Sequence, residues 1–271
     1  MTNRSLTDSY KLCFIIAHIY FRPYESYLSY YISNINKLYP DSLILVIDNG
    51  SKYKEDVFKE ITEITDKNVV IIDNDTDSKF EIGAYTRGLK YILDNNLKDK
   101  YDYYIFTQDT FVLKNKYDFN ILIDNDVKAC TINTYFQDDP NNIICRNVLT
   151  KLGLYNNLDK ITFCYCSSFI IHKDRIVQLY SYLLKINNRT RLECSAGERY
   201  LARILYELNN HKNFDIDGDI RDILIDMAKR HNRYNPNNMY YDCWVVDIYK
   251  PAFTHFVKRV QQKNEFTQNI Y

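Results

Sequence analysis

Glycine and proline are scarce, at 6 and 5 of 271 residues. That excludes collagen-like and low-complexity chains, and nothing rich in Gly, Ser or Pro is present to act as a linker. Internal repeats are lacking as well. No apolar run reaches the roughly 18 residues that a membrane-spanning helix needs. Residues 1–10 (MTNRSLTDSY) lack the apolar centre of a secretory signal. Net charge is also missing: Lys plus Arg and Asp plus Glu stand at 35 each, so no global field draws nucleic acid or an anionic membrane. The 7 cysteines are an odd number without the spacing of a disulfide framework. Cys164 and Cys166 are too close in sequence for a zinc ligand pair. Sequons at Asn49 and Asn188 come without a secretory signal. These absences point to a reduced, cytoplasmic compartment.

What is present is a chain long enough for one large α/β domain, expected to span residues 1–271. Tyrosine is heavily used, at 26 residues, and Asn, Ile and Lys abound, the bias that AT-rich coding produces. No single Tyr or Asn is therefore read as a functional signal.

The organising stretch is residues 101–113 (YDYYIFTQDTFVL). Its short aromatic and β-branched run predicts a strand buried on both faces, central in a parallel sheet. Gln108, Asp109 and Thr110 follow, at the end where open α/β sheets bind ligands. Upstream, residues 11–17 (KLCFIIA), 42–47 (SLILVI) and 69–72 predict further buried strands. Helices are expected over 24–38, over 54–65 and from Glu81 onward. Strand then alternates with helix, which predicts a doubly wound, mostly parallel sheet. Polar clusters end several strands, at His18, at Asp48 and at Asp109, and parallel strands bring such ends to one edge. The bland reading of Asp48-Asn49-Gly50-Ser51 is a turn, since Asn-Gly is turn chemistry.

In this order and spacing, FIIAHIYFRP, ILVIDNGS, EIGAYTRGLKYIL and FTQDT resemble the nucleotide-sugar-binding half of a GT-A-fold glycosyltransferase of the family 2 type, over about residues 11–113. The resemblance implies a GT-A-like, Rossmann-like α/β fold whose mostly parallel central sheet is flanked by helices, with a less regular acceptor-side half over about 114–271. It implies that Asp48, with Ala17, His18 and Tyr20, contacts the base and ribose, and that Gly83 and Arg87 lie beside the nucleotide. A guanidinium suits a diphosphate. The family's Asp-x-Asp is reduced here to Gln108-Asp109-Thr110. With one carboxylate left, two arrangements remain. A divalent metal, Mg²⁺ or Mn²⁺, is held by Asp109 with water and phosphate, or basic side chains neutralise the leaving diphosphate.

The second half predicts strands over 128–134 and 163–171, an irregular stretch over 135–147, and a helix over 174–186 that buries Ile176, Val177, Tyr180 and Leu184. Ser167 and Ser168 resemble the family's acceptor-side strand, or are two small packed residues. Apolar spacing from Tyr200 to Leu208 predicts a helix with Glu198 in its first turn. The resemblance makes Glu198 the catalytic base, with Glu193 in reserve; the helix dipole alone also accounts for an acid there. His255 resembles a late metal or diphosphate ligand, with Lys258 and Arg259 beside it, or is a packed histidine.

Three functions are consistent with these residues. The first is transfer of a sugar from a nucleotide-sugar donor to a glycan or other hydroxyl acceptor, metal-dependent and inverting, with Asp109 and Glu198 catalytic. The second is a non-catalytic nucleotide-sugar-binding or scaffold protein. The third is a nucleotidyltransferase, against which the first-strand loop HIYFRP counts, because it lacks the Gly-rich triphosphate cradle.

Overall fold

A computed structural model describes residues 10–19, 28–52, 54–64, 68–109, 111–113, 125–135, 139–155, 160–219 and 256–258. The elements run β1 (Leu12–His18), α1 (Leu28–Leu38), β2 (Leu43–Asp48), α2 (Lys54–Ile64), β3 (Val69–Asp73), α3 (Phe80–Asp94) and β4 (Tyr103–Gln108). They continue as β5 (Phe111–Leu113), β6 (Val127–Tyr135), α4 (Pro140–Leu152), β7 (Lys160–His172), α5 (Ile176–Leu183), α6 (Arg191–Leu208), β8 (Asp215–Asp219) and β9 (Phe256–Lys258). One sheet of 7 strands has the order β3-β2-β1-β4-β7-β6-β8, and β5 pairs with β9 in a separate ribbon. The fold is α/β, with a mostly parallel central sheet. The β3-β2-β1-β4 block is parallel, β7 is antiparallel to both β4 and β6, and β8 is parallel to β6. Both halves of the chain thus share one sheet, joined where β4 meets β7.

β1 is buried along its whole length, and β4 up to Thr107, which is why both read as continuous apolar runs. Each fully buried Ile, Leu or Phe contributes roughly 1.5–3 kcal/mol, so these strands carry much of the fold's hydrophobic energy. One face packs on α3, α5 and α6 through Ile15, Tyr85, Leu89, Phe106, Leu179 and Leu205. There Phe106 stacks on Phe169 with centroids 4.4 Å apart, and Tyr85 meets Phe106 edge-on at 5.0 Å. On β4, Thr107 Oγ1 accepts from the buried Tyr31 hydroxyl of α1 at 3.0 Å. Burial pushes the Tyr31 pKa up.

Three expectations for the second half are corrected. Residues 140–152 are helical, not irregular. Asp139 caps this helix by accepting from Asn142 N–H, Pro140 opens it and Gly153 closes it in the left-handed region. In α5, Ile176, Leu179 and Leu183 are inward, while Val177 and Leu184 are 52% and 57% exposed. The helix is apolar on more than one stripe, and the stripe of Ile176, Leu179 and Leu183 is the one that joins the core. The third correction concerns α6. It begins at Arg191, where Thr190 and Glu193 form a capping box, so Glu198 lies two turns inside the helix rather than in its first turn. The sequence also predicts a strand over 244–248 and a helix over 222–229, and both lie outside the described residues.

Gly83 is required by packing. A Cβ there would sit 2.0 Å from the Ser78 carbonyl oxygen and 2.7 Å from Asn74 Nδ2. The backbone turn from Asn74 to Ser78 is itself pinned by the Asn74 side chain, whose Oδ1 accepts from Thr76 N–H and whose Nδ2 donates to Ser78 O. It has no room to retreat. Gly83→Ala is expected to destabilise the protein by about 1–3 kcal/mol or more, read as a lower urea midpoint at unchanged m-value; a midpoint equal to the parent's would show that the turn yields.

Candidate functional site

The parallel register decides which strand ends meet. His18 stands opposite Asp48, and Ala17 is flanked by Ile47 on one side and Gln108 on the other. The polar ends of β1, β2 and β4 therefore share the carboxyl edge of the sheet, the edge expected from the sequence. Backbone hydrogen bonds carry the alignment past the strands: Asn49 N–H donates to His18 O at 2.8 Å, and Asp109 N–H to Ala17 O at 3.1 Å.

Asp109 turns back onto β1. Its Oδ2 accepts from His18 Nδ1 at 2.7 Å and from Ile19 N–H at 3.2 Å. An ionised carboxylate only accepts, so His18 Nδ1 carries the proton and Nε2 bears a lone pair in the neutral ring. The imidazole is 1% exposed, and Nε2 has no partner among the described residues. Asp48 closes the β2 turn instead of facing outward. Its Oδ2 accepts from Gly50 and Ser51 N–H at 3.1 and 3.0 Å, and its Oδ1 from the Ser51 hydroxyl. The turn reading of Asp48–Ser51 thus holds, with Gly50 at φ 93°. A contact between Asp48 and a nucleotide would have to be made around these bonds.

Gly83 and Arg87 both lie on α3, one turn apart. Gly83 is buried beneath the turn after β3, for the packing reason given above. Arg87 Nε lies 2.8 Å from Asp75 Oδ1, an ion pair too bent for a hydrogen bond.

A second array was not singled out from the sequence. Glu81, in the first turn of α3, accepts from Gln108 Nε2 at 2.6 Å on Oε1 and from Cys194 Sγ at 2.9 Å on Oε2. This bridge ties the end of β4 to α3 and α6. Burial, and then the Glu81 carboxylate, push the Cys194 thiol pKa up, so it remains a donor. Cys194 and Glu198 are separated by one helical turn and lie on one face of α6. Glu198 also contributes to raising the Cys194 pKa. Glu198 thus lies one turn along α6 from Cys194, which itself donates to Glu81.

The two helices start side by side because their leading loops are bonded. Lys79 N–H donates to Asn188 O at 2.6 Å, Asn188 N–H to Ser78 Oγ at 3.0 Å, and Tyr200 OH to Asn188 Oδ1 at 2.8 Å. Asn188 is 2% exposed, so its sequon is a buried structural asparagine. The only sequence trace of the Glu81 bridge was the position of Glu81 at the head of the EIGAYTRG segment. A contact with residue 194 has no local signature.

In the second half, β4 and β7 stop pairing after Phe106 and Phe169. The register between β6 and β7 then shifts past Ala129. Ser167, inside this bulge, has φ 51°, and it and Ser168 are buried. Extrapolating the β4–β7 register brings the two serines level with Thr107 and Gln108. Tyr20, Thr110 and His255 lie outside the described residues, and of Lys258 only the backbone, in β9, is described.

The described carboxylates of this edge are partly engaged within the protein. Among the described residues no three His, Cys, Asp or Glu side chains converge on a common point. Asp109 Oδ2 is taken by two N–H donors, both Asp48 oxygens by the β2 turn, and the Gln108 amide by Glu81. Among the described residues no helix is long and apolar enough to cross a membrane, and Cys13, Cys145, Cys164 and Cys194 are buried thiols outside any disulfide.

No family model and no curated protein matches the chain. Among solved structures it is similar to 4-diphosphocytidyl-2C-methyl-D-erythritol synthase from Anaerococcus prevotii, at 13% identity and a TM-score of 0.45, over 76% of this chain and 86% of that one. A likeness that distant says nothing of chemistry, which rests on the residues of the edge.

Glu193, the reserve candidate for a base, is spent on the capping box. It accepts from Arg189 N–H at 2.7 Å and from Thr190 N–H at 2.8 Å, and the first of these does most to lower its pKa. A lowered folded pKa means that its stabilisation is present above the unfolded value, roughly pH 4.3, and fades as pH falls through the folded value. The side chain is largely solvated, so the contribution is small. Glu193→Gln is expected to cost about 1 kcal/mol or less at pH 7 and to flatten the acid limb of stability below pH ~4.3, measured by denaturant melts from pH 7 to 3. An unchanged acid limb would show that the box carries no charge-dependent energy.

Proposed function

We propose that the protein is a glycosyltransferase that moves a sugar from a nucleotide-sugar donor to a hydroxyl acceptor, a glycan being one class. The observation that carries this reading is the common edge of β1, β2 and β4, tied through Gln108 and Glu81 to Cys194 on α6, one turn before Glu198. That edge supports a donor beside the first-half strand ends and an acceptor beside α6. A nucleotidyltransferase would need a cradle for a triphosphate, and the HIYFRP segment after β1 has no glycine with which to build one.

The reaction is direct displacement at the anomeric carbon. Glu198 accepts the proton of the acceptor hydroxyl as its oxygen bonds to that carbon. The bond from the carbon to the donor's phosphate oxygen breaks, and its electron pair leaves with the nucleoside diphosphate. Attack opposite the leaving group inverts the centre. Arg87 is the basic group assigned to the departing charge. Seated two turns inside α6, Glu198 gains little from the helix dipole, which acts mainly on the first turn. The structural alternative for this acid is accordingly weaker than the sequence allowed.

The test is to incubate the protein with UDP-, GDP-, dTDP- and CDP-sugars and a panel of hydroxyl acceptors. Released nucleoside diphosphate and glycosylated product are quantified together. In parallel, each nucleoside triphosphate is supplied with sugar phosphates and pyrophosphate is measured. Glycosyl transfer yields the diphosphate; pyrophosphate instead would identify a nucleotidyltransferase, and nucleotide binding with neither product a non-catalytic protein. Glu198→Gln is expected to lower transfer by about 10²–10⁴-fold at unchanged donor affinity. Full turnover in that variant would remove Glu198 from the mechanism.

A further inference from the structure

Arg87, two turns into α3, meets the carboxyl edge of the sheet at the turn that follows β3. That turn is fixed to its neighbour. Asp73 stands opposite Asp48, Asn74 N–H donates to Asp48 O at 2.8 Å, and Asn74 Nδ2 donates to Asn49 Oδ1 at 2.8 Å. Asp75 comes next, and its Oδ1 lies 2.8 Å from Arg87 Nε. The partners differ in burial: the Arg87 side chain is 20% exposed and that of Asp75 69%. A guanidinium so far withdrawn from water needs an anion beside it. An aspartate on a solvated turn can swing away at little cost. The same turn also holds a better-made pair, in which Lys54 Nζ donates to both oxygens of Asp73 at 2.9 and 3.0 Å. Arg87 makes no such bond: its buried Nε–H is misdirected, and the contact with Asp75 is Coulombic only. Phosphate oxygens can accept from the planar fork of a guanidinium in parallel, which this bent carboxylate does not do.

We propose that Asp75 is an internal counter-ion: it holds Arg87 until the diphosphate of a donor takes its place, and so sets how tightly that group binds. This rests on the reading of Arg87 as the group that meets the departing charge. In the exchange Asp75 turns to water while Arg87 donates to the phosphate oxygens. Were Asp75 to stay, its carboxylate would repel the diphosphate. A ligand without phosphate has nothing with which to displace it. Asp75 is thus a specificity-determining residue that weights affinity toward the phosphate part of a ligand.

The test is calorimetric titration of UDP, GDP, dTDP and CDP, and of inorganic pyrophosphate, into the full chain and into Asp75→Asn at one fixed Mg²⁺ concentration. The variant is expected to bind the diphosphate group at least about twofold more tightly. A smaller gain, or a loss, would overturn the proposal, a loss showing instead that Asp75 positions Arg87 for the ligand. The gain is expected to disappear in an Arg87→Gln background, along with much of the binding. A gain that survives there would show that Asp75 acts only by repulsion at a distance, and would overturn the exchange. Asp75→Ser and Arg87→Met are measured beside these, and near-UV circular dichroism establishes that each variant is folded, so that one misfolded variant does not decide the matter. The nucleotide arm rests on the glycosyltransferase reading. If no nucleotide binds, that reading fails, while the pyrophosphate comparison still decides the role of Asp75. Pyrophosphate bound by neither protein would overturn the proposal.

Discussion

The structure depends on the parallel pairing of β1 between β2 and β4. Side chains alternate along a strand, so a slip of one residue would turn each apolar side chain of β1 to the opposite face. Burial on both faces penalises any departure from that register less by polarity than by shape. Ile15 and Ala17 pack on α3, while Phe14 and His18 face the other layer, where Phe14 meets Tyr39 and His18 meets Phe58. Once this register is set, His18 falls opposite Asp48 and Ala17 opposite Gln108. The polar edge follows from the same packing that stabilises the core.

Two further ties convert that edge into a site. The first is local to the parallel block: Asp109 reaches the side chain of His18 and the backbone of Ile19, across 91 and 90 residues of sequence. The second crosses the sheet junction, from Gln108 through Glu81 to Cys194, spanning 113 residues in its last step. Each uses a partly buried carboxylate as an acceptor between two donors, the arrangement that makes buried charge tolerable. Helix α6 is in turn held by the Asn188 loop and Tyr200. The helix that carries Glu198 is therefore fixed to the first half of the chain at several points.

Sequence pattern was sufficient for the first half because its strands are continuous apolar runs and its helices carry one clear stripe. The boundaries of β1, β2, β3 and β4 lie within one or two residues of those read from composition alone. The pattern was also sufficient to bring His18, Asp48 and Asp109 to a common edge, since that follows from parallel order. It failed for α4, whose weakly amphipathic PNNIICRNVLTKL offers few apolar anchors, although Asp139, Pro140 and Gly153 are sound cap signals. It failed again at α5, where an apolar helix offers two stripes and only packing chooses between them.

What the amino-acid sequence determined by itself was the α/β class, the strand–helix alternation and the set of polar strand ends, because each is a consequence of local periodicity and burial. Tertiary structure alone decided what those polar groups do to one another. Asp48 spends its carboxylate on its own turn, Asp109 on His18 and Ile19, and Glu193 on the cap of α6. Glu81 becomes a link to Cys194, and Gly83 yields its space to the Ser78 carbonyl. The physical reason is that a hydrogen bond depends on separations of about 3 Å, and residues a hundred positions apart acquire such separations only when the sheet has closed and the helices have docked.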